Sequence, residues 1–165
     1  VAPYVLGYWL GDGRTDDSEF TVHEVDLAEF QGQVAAVGYH IGKLKPGGTG
    51  HAGTTFAVRV STQPVRQGGV MARDSLVGRL RTLGVLGNKH LPATYLRASY
   101  DQRLALLQGL VDSDGSIGRD GRTTITTIKP ALRDGMVELL ATLGIIVKPQ
   151  PGAVALSDWA QELLK

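Results

Sequence analysis

The chain has 165 residues, 42% of them apolar, which is enough to bury a substantial core and points to one compact domain built from two similar halves. It contains no cysteine, which excludes disulfides, thiolate zinc sites and a cysteine nucleophile. No signal peptide and no apolar run of membrane-spanning length are visible, so a soluble, cytoplasmic protein without membrane contact is expected. The net charge of +1 hides a segregation. Between Phe30 and Tyr100 stand Lys43, Lys45, Arg59, Arg66, Arg73, Arg79, Arg81, Lys89 and Arg97 against the single acid Asp74, and the acids dominate elsewhere. Such separation predicts an electropositive surface offered to a polyanion.

In chain order, Pro3 to Asp12 reads as a helix, with Pro3 at an early helical position and Gly13 suited to a left-handed residue past its end. Glu19 to Glu24 alternates as a strand with Phe20 and Val22 on one face. Asp26 is expected to cap a second helix, carrying Leu27, Phe30, Val34 and Val37 at helical spacing and stopping at Gly38. Tyr39 to Lys45 and Thr54 to Ser61 form a predicted hairpin around Pro46-Gly47-Gly48-Thr49-Gly50. Its second strand turns Phe56, Val58 and Val60 inward and Thr55, Ala57, Arg59 and Ser61 outward. Gln63 to Gly69 is loop, and Asp74 to Leu83 is helical through Leu76, Leu80 and Leu83. Asp101 is expected to cap a helix ending at Asp114-Gly115, followed by strands Ser116 to Arg119 and Thr123 to Ile128 about an Asp120-Gly121 turn. Pro130 opens the next helix, which runs through Leu132, Met136, Leu139, Leu140 and Leu143 to Gly144. A short hairpin follows, Ile145 to Lys148 with Ala153 to Leu156, and Ser157 caps a closing helix bearing Trp159 and Leu163. Trp9 and Trp159 are expected to fill the core or an interface.

Two stretches of this order nearly repeat each other. Leu6-Gly7-Tyr8-Trp9-Leu10-Gly11-Asp12-Gly13 and Gln108-Gly109-Leu110-Val111-Asp112-Ser113-Asp114-Gly115 are apolar helical runs with an early glycine and an Asp-Gly ending, offset by 102 residues. A single Asp-Gly is an ordinary helix terminator, but a pair asks for more. Gly7 and Gly109 remove side chains where two helices approach, so the runs are expected to pack at a lobe interface with their last turns together. A carboxylate at a helix C-terminus meets the negative end of the dipole. Two such acids side by side call for a hard divalent cation, with Asp12 and Asp114 as oxygen ligands, the carbonyls of Gly11 and Ser113 as further donors, and water and phosphate oxygens completing a magnesium shell. Other chemistries fit badly. Gly38-Tyr39-His40-Ile41-Gly42-Lys43-Leu44 is too short for a phosphate loop and lacks its Ser or Thr. Asp112 and Asp114 open like a calcium loop, but Ile117 and Thr123 replace its glycine and glutamate. His23, His40, His51 and His90 show no zinc spacing.

The paired motifs resemble those of the LAGLIDADG, or dodecapeptide, homing endonucleases. Asn88-Lys89-His90-Leu91-Pro92 stands between them like the Lys-x-Ile/Leu-Pro block of the intein-borne members, followed by Tyr95-Leu96-Arg97-Ala98. The resemblance implies an α+β fold, a pseudo-two-fold duplicated αββαββα arrangement whose two antiparallel sheets form a DNA-binding saddle with the motif helices at the lobe interface. The halves would be residues 1–99, with the long hairpin and the Lys-His-Leu-Pro block, and 100–165, with a shortened second hairpin. It implies site-specific cleavage of double-stranded DNA at a long asymmetric target, dependent on Mg2+ or another divalent cation and leaving 3′ overhangs. Asp12 and Asp114 would be the metal-binding catalytic acids and Lys89 the basic residue that polarises the attacking water or steadies the phosphate. A chain running from Val1 to Lys165 lacks the splicing residues of an intein, so it is expected to be the endonuclease domain alone. The Gly-, Ala- and Arg-rich wording is similar to inteins of high-GC bacteria, with a replicative helicase as host. Both motif copies lie in one chain, so a monomer is expected.

Outward sheet residues are then the expected DNA contacts: Lys43, Lys45, Arg59, Arg119, Arg122 and Thr124, with Arg14, Arg66 and Arg73 at the flanks. Rival readings are a DNA-binding regulator of the same fold that has lost catalysis, an RNA-splicing maturase, and a two-lobed protein whose motifs serve only helix packing.

Overall fold

The computed structural model describes residues 1–50, 53–62, 74–119 and 122–156. Residues of this chain form two compact units, one of Val1–Ala2 with Asp12–Asn88, the other of Pro3–Gly11 with Lys89–Lys165. Division by the repeated motif, at residues 99 and 100, and division by packing therefore place the first motif helix differently. The body of that helix packs with the second unit.

In the first unit, the strand β4 (Gly53–Ser61) is central. Strand β1 (Glu19–His23) pairs antiparallel along one side of it, in register Glu19 with Arg59 through His23 with Thr55. Strands β2 (His40–Ile41) and β3 (Lys45–Gly50) pair antiparallel on β4 as well, with an irregularity between Pro46 and Thr49. Alternation places Phe20, Val22, Val58 and Val60 on the buried face, together with Phe30 and Val34 from α2 (Leu27–Ala36) and Leu76 and Leu80 from α3 (Leu76–Thr82). Phe20 and Phe30 meet with ring centroids 5.5 Å apart.

The expected turn Pro46 to Gly50 is instead strand: Thr49 pairs with Thr54 and Gly50 with Gly53, and residues 51–52 lie outside the described residues. Weak side-chain preference in this Gly-rich run leaves its conformation to the neighbouring strand, which supplies the hydrogen bonds. Gly13 is not the left-handed residue expected after the first helix; it bridges Phe20 in the sheet. Asp26 stands at the N-cap of α2 but makes no capping bond there. A 3₁₀ turn, Glu24–Asp26, precedes the helix, and His23 Nδ1 accepts from the Val25 amide at 3.3 Å.

The second unit carries the helices α1 (Pro3–Asp12, its last residue belonging to the first unit), α4 (Ala93–Leu96), α5 (Tyr100–Asp114) and α6 (Pro130–Thr142). Its sheet runs β5-β6-β8-β7, with β5 Gly115–Ile117, β6 Thr123–Thr126, β7 Val147–Gln150 and β8 Ala153–Leu156, every pairing antiparallel. Its core comes from Ile125, Val154 and Leu156 of the sheet and Leu132, Met136, Leu139 and Leu140 of α6, joined by Leu106, Leu107 and Leu110 of α5. Pro130 starts α6 as expected, and Gly144 follows it at φ 79°. The cap of α5 is Ser99 rather than Asp101: Ser99 Oγ accepts from the Gln102 amide and the Gln102 side chain accepts from the Ser99 amide, both at 3.3 Å. This reciprocal box satisfies two helix-start groups that Asp101, already inside the first turn, cannot reach. The Asp120-Gly121 turn and the helix expected from Ser157, with Trp159 and Leu163, lie outside the described residues. Among the described residues, no helix is long and apolar enough to cross a membrane.

Candidate functional site

Seven consecutive residues of α1, Tyr4 to Leu10, are buried, so this helix has no solvent stripe. Such a helix needs neighbours all round, and α5 supplies one at backbone distance. A Cβ placed on Gly7 would lie 2.2 Å from the Leu106 carbonyl oxygen, and one on Gly109 would lie 2.2 Å from the Tyr4 carbonyl oxygen. Each glycine thus rests on the residue three places before the other. The contact is reciprocal, as the repeated sequence suggests, and it tolerates no side chain at either position.

The same closeness extends to the last turns. A Cβ on Gly11 would meet Ser113 Oγ at 2.0 Å and Asp114 Oδ2 at 3.1 Å, so the Asp114 carboxylate lies over the Gly11 backbone. Ser113 Oγ is turned back to donate to the Leu110 carbonyl at 3.1 Å. Lys89 is 5% exposed, and its Nζ donates to the Gly11 carbonyl at 2.8 Å while standing 5.1 Å from the centroid of the Trp9 ring. The indole is fully buried, and its face receives the ammonium as a cation–π partner. Burial pushes the Asp114 carboxyl above the ordinary carboxylate value, and the Lys89 charge pulls it partly back. Asp12 follows Gly11 as the last residue of α1, half-buried.

Gly7, Gly109, Gly11, Ser113, Asp114 and Lys89 are therefore brought together within one unit. The Asp112 side chain, one turn-position away, accepts from the Tyr4 hydroxyl at 2.9 Å. Gly115, past the Asp114 end, is extended at φ −77°. A Cβ there would meet the Val111 carbonyl oxygen at 2.3 Å, so the glycine of this Asp-Gly serves close approach of backbone rather than a left-handed turn. Among the described residues, no group of three or more His, Asp or Glu side chains forms a metal cage. The donor set is one of carboxylates and backbone carbonyls.

The expected nucleic-acid contacts separate into three sets. Arg14, Lys45 and Arg59 lie together at the sheet of the first unit, each against an acid. Arg14 Nε is 3.0 Å from Asp16, Lys45 Nζ is 3.8 Å from Glu19, and Arg59 Nη1 donates to Asp17 at 2.9 Å. Lys43 is exposed on the connection between β2 and β3. In the second unit, Arg119 and Arg122 are exposed beside the β5-β6 turn, with the Gly118 amide donating to the Arg122 carbonyl at 2.8 Å, and Thr124 lies on the outward side of β6 opposite Ser116 and Ala155. Arg66 and Arg73 lie outside the described residues. The acids Asp16, Asp17 and Glu19 went unnoticed in the sequence because β1 and β4 are far apart along the chain, and nothing local reveals that Glu19 faces Arg59.

Residues 101–152 match the family model described as a LAGLIDADG-like domain, which covers α5 after its first residue, β5, β6, α6 and β7 and stops short of β8. Over these residues the chain carries a LAGLIDADG-like domain. Its whole length has the LAGLIDADG fold: the homing endonuclease I-DmoI, determined in complex with DNA and Mn, superposes with a TM-score of 0.57 at 14% identity, over 99% of this chain and 96% of that one. The N-terminal LAGLIDADG domain of DUF199/WhiA superposes with a TM-score of 0.55 at 10% identity, over 99% of this chain and 83% of that one. At such identities the likeness concerns fold alone. In sequence the chain is similar to the replicative DNA helicase DnaB of Mycobacterium intracellulare, 32% identical over 144 residues. That match takes in 87% of this chain but only 19% of the length of the helicase.

Proposed function

We propose that this LAGLIDADG chain is a site-specific endonuclease for double-stranded DNA, borne by an intein, that hydrolyses one phosphodiester on each strand with the aid of a divalent cation. The observation that carries the reading is the last turn of the motif helices, where Asp114 lies over Gly11 and the buried ammonium of Lys89 is tied to the Gly11 carbonyl. A half-buried carboxylate beside a buried ammonium at a helix end adds less to stability than apolar residues of similar volume would, which points to a use beyond packing.

The donor set fits a hard cation. Asp114 carries a charge that burial penalises, the Ser113 carbonyl stands in the last turn of α5, where helical donors run out, and Asp12 ends the companion motif. Asp12, Asp114 and the Ser113 carbonyl would be the cation's principal ligands, with the second lone pair of the Gly11 carbonyl, which also accepts from Lys89, and water and DNA phosphate oxygens beyond them. A bound Mg2+ or Mn2+ supplies neutralisation of the phosphate charge and a water of lowered pKa. Lys89, fixed by Gly11 and Trp9, would polarise that water or steady the scissile phosphate. Exposed bases on the two sheets, among them Lys43, Lys45, Arg59, Arg119 and Arg122, would hold the duplex, and Thr124 would face a groove. Short 3′ overhangs, a long asymmetric target, a monomeric state and a cytoplasmic setting belong to the same proposal. The helicase relative supports the intein context, since a match confined to 19% of its length is what an inserted domain would give.

The fold by itself does not select cleavage, because the likeness to the DUF199/WhiA domain is nearly as close as that to I-DmoI. A LAGLIDADG-fold DNA binder without catalysis is therefore the second reading. Incubation of a randomised duplex pool with the protein in magnesium and in EDTA separates the two. Magnesium-dependent double-strand breaks enriched in one sequence are expected, whereas binding without any break favours the second reading.

A further inference from the structure

Arg14, Lys45 and Arg59 at the first unit's sheet are each set against a carboxylate. Glu19 is the hub: its Oε2 is 3.8 Å from Lys45 Nζ and 4.0 Å from Arg59 Nη2, and its Oε1 is 3.8 Å from Arg14 Nη1. Asp17 holds Arg59 at both terminal nitrogens, Nη1 at 2.9 Å and Nη2 at 2.5 Å. Asp16 takes the Nε of Arg14 at 3.0 Å. The acids Glu19 and Asp17 are 16% and 24% exposed, while the three cations are 51% to 64% exposed, so the carboxylates lie beneath the bases and within the same outward patch. The strand register builds this in, because Glu19 of β1 stands opposite Arg59 of β4, and Lys45 of β3 stands opposite Ala57, two residues along the same face.

We propose that Glu19 and Asp17 are specificity determinants that hold down the affinity of this sheet for arbitrary duplex. The proposal rests on the DNA-binding reading above. Sequence-independent attraction to DNA comes from cations that neutralise phosphates and release counterions. A phosphate reaching Lys45 or Arg59 comes close to Glu19 or Asp17 as well, so a patch of three cations and three carboxylates offers little of that attraction. Base edges are different partners. A guanidinium held by Asp17 is fixed in direction and keeps further N–H donors for guanine, and a carboxylate at the groove accepts from the cytosine amino group. The pairs thus favour contact where donors and acceptors of the bases match, over contact with any phosphate.

Glu19→Gln and Asp17→Asn, each nearly isosteric, test this by fluorescence anisotropy on a random-sequence duplex of stated length at several salt concentrations, together with sequence enrichment from a randomised duplex pool. Each variant is expected to bind random duplex about threefold to tenfold tighter at low salt, with a salt slope steeper by about one, as for one additional phosphate neutralised. Enrichment should yield a weaker consensus. Variants that keep the wild-type melting temperature but bind random duplex no more tightly overturn the proposal, and Asp17→Asn keeps the test open should Glu19→Gln fail to fold. A wild-type chain that binds no duplex overturns the DNA-binding reading itself.

Discussion

Replacing Gly7 with alanine puts a methyl group against backbone that cannot turn aside. The new Cβ would lie 2.2 Å from the Leu106 carbonyl oxygen and 3.0 Å from the Leu110 amide nitrogen. Restoring an ordinary contact requires α1 and α5 to part by about 1 Å, which loosens a seam of fully buried side chains including Val5, Leu6, Leu106, Leu107 and Leu110. Overpacking of this kind costs about 1–3 kcal/mol, and because the clash is with backbone the upper part of that range applies. Alanine's better helix propensity returns about 1 kcal/mol. A net loss of about 2 kcal/mol lowers the melting temperature of a chain this long by roughly 4–8 °C. Gly109→Ala, whose Cβ would be 2.2 Å from the Tyr4 carbonyl oxygen, should behave alike, and the double variant should lose less than the sum because the helices part only once. Gly32→Ala on α2 is the control: a Cβ there meets nothing within 4 Å, and propensity alone should stabilise by about 0.5–1 kcal/mol. Thermal unfolding followed by circular dichroism measures all four. If Gly7→Ala and Gly109→Ala melted with or above the wild type, the close helix contact, and the function assigned to the paired glycines, would be wrong.

Three further outcomes follow from the same geometry. Asp114 holds its proton more tightly folded than unfolded, so wild-type stability should fall as pH rises from about 3.8 through the raised value of the folded group; Asp114→Asn should therefore melt higher than wild type at pH 7 and equal to it below pH 3.8, in metal-free buffer. Lys89→Met removes the charge that draws the Asp114 carboxyl downward, and a carbon-13 NMR titration should show that carboxyl moving higher still; an unmoved titration would mean that Lys89 does not act on it. Ser99→Ala deletes the capping box of α5 and should cost about 1 kcal/mol in urea unfolding, whereas Asp101→Ala, not itself the cap, should cost less.

Much of this was legible in the residues. Helix α1, the alternation of Phe20 and Val22, the inward run of Phe56, Val58 and Val60, and the Pro130 to Gly144 span follow from period and punctuation, because burial of one face enforces them locally. The glycines of the paired motifs were legible too, since two long-separated runs with the same small residue at the same place imply a shared contact. What stayed hidden depended on partners distant in sequence. The Gly-rich 46–50 stretch is strand only because β4 lies beside it, and Ser99 outcompeted Asp101 by reaching the right amide. The burial of Lys89 on Trp9 could not be read from a loop lysine between prolines and glycines. Nor could the neutralisation of Arg14, Lys45 and Arg59, because net charge by segment counts bases without knowing which acids the sheet sets against them.

The proposed cleavage requires Asp12 and Asp114 each to contribute to cation binding. Titration of Mn2+ into the protein bound to a random-sequence duplex, followed by the paramagnetic signal of free Mn2+, measures this without cleavage or a known target. Wild type should take up the ion, and Asp12→Asn and Asp114→Asn should each weaken uptake at least about tenfold, with the double variant little worse than either alone. Equal uptake by wild type and both single variants would contradict the account.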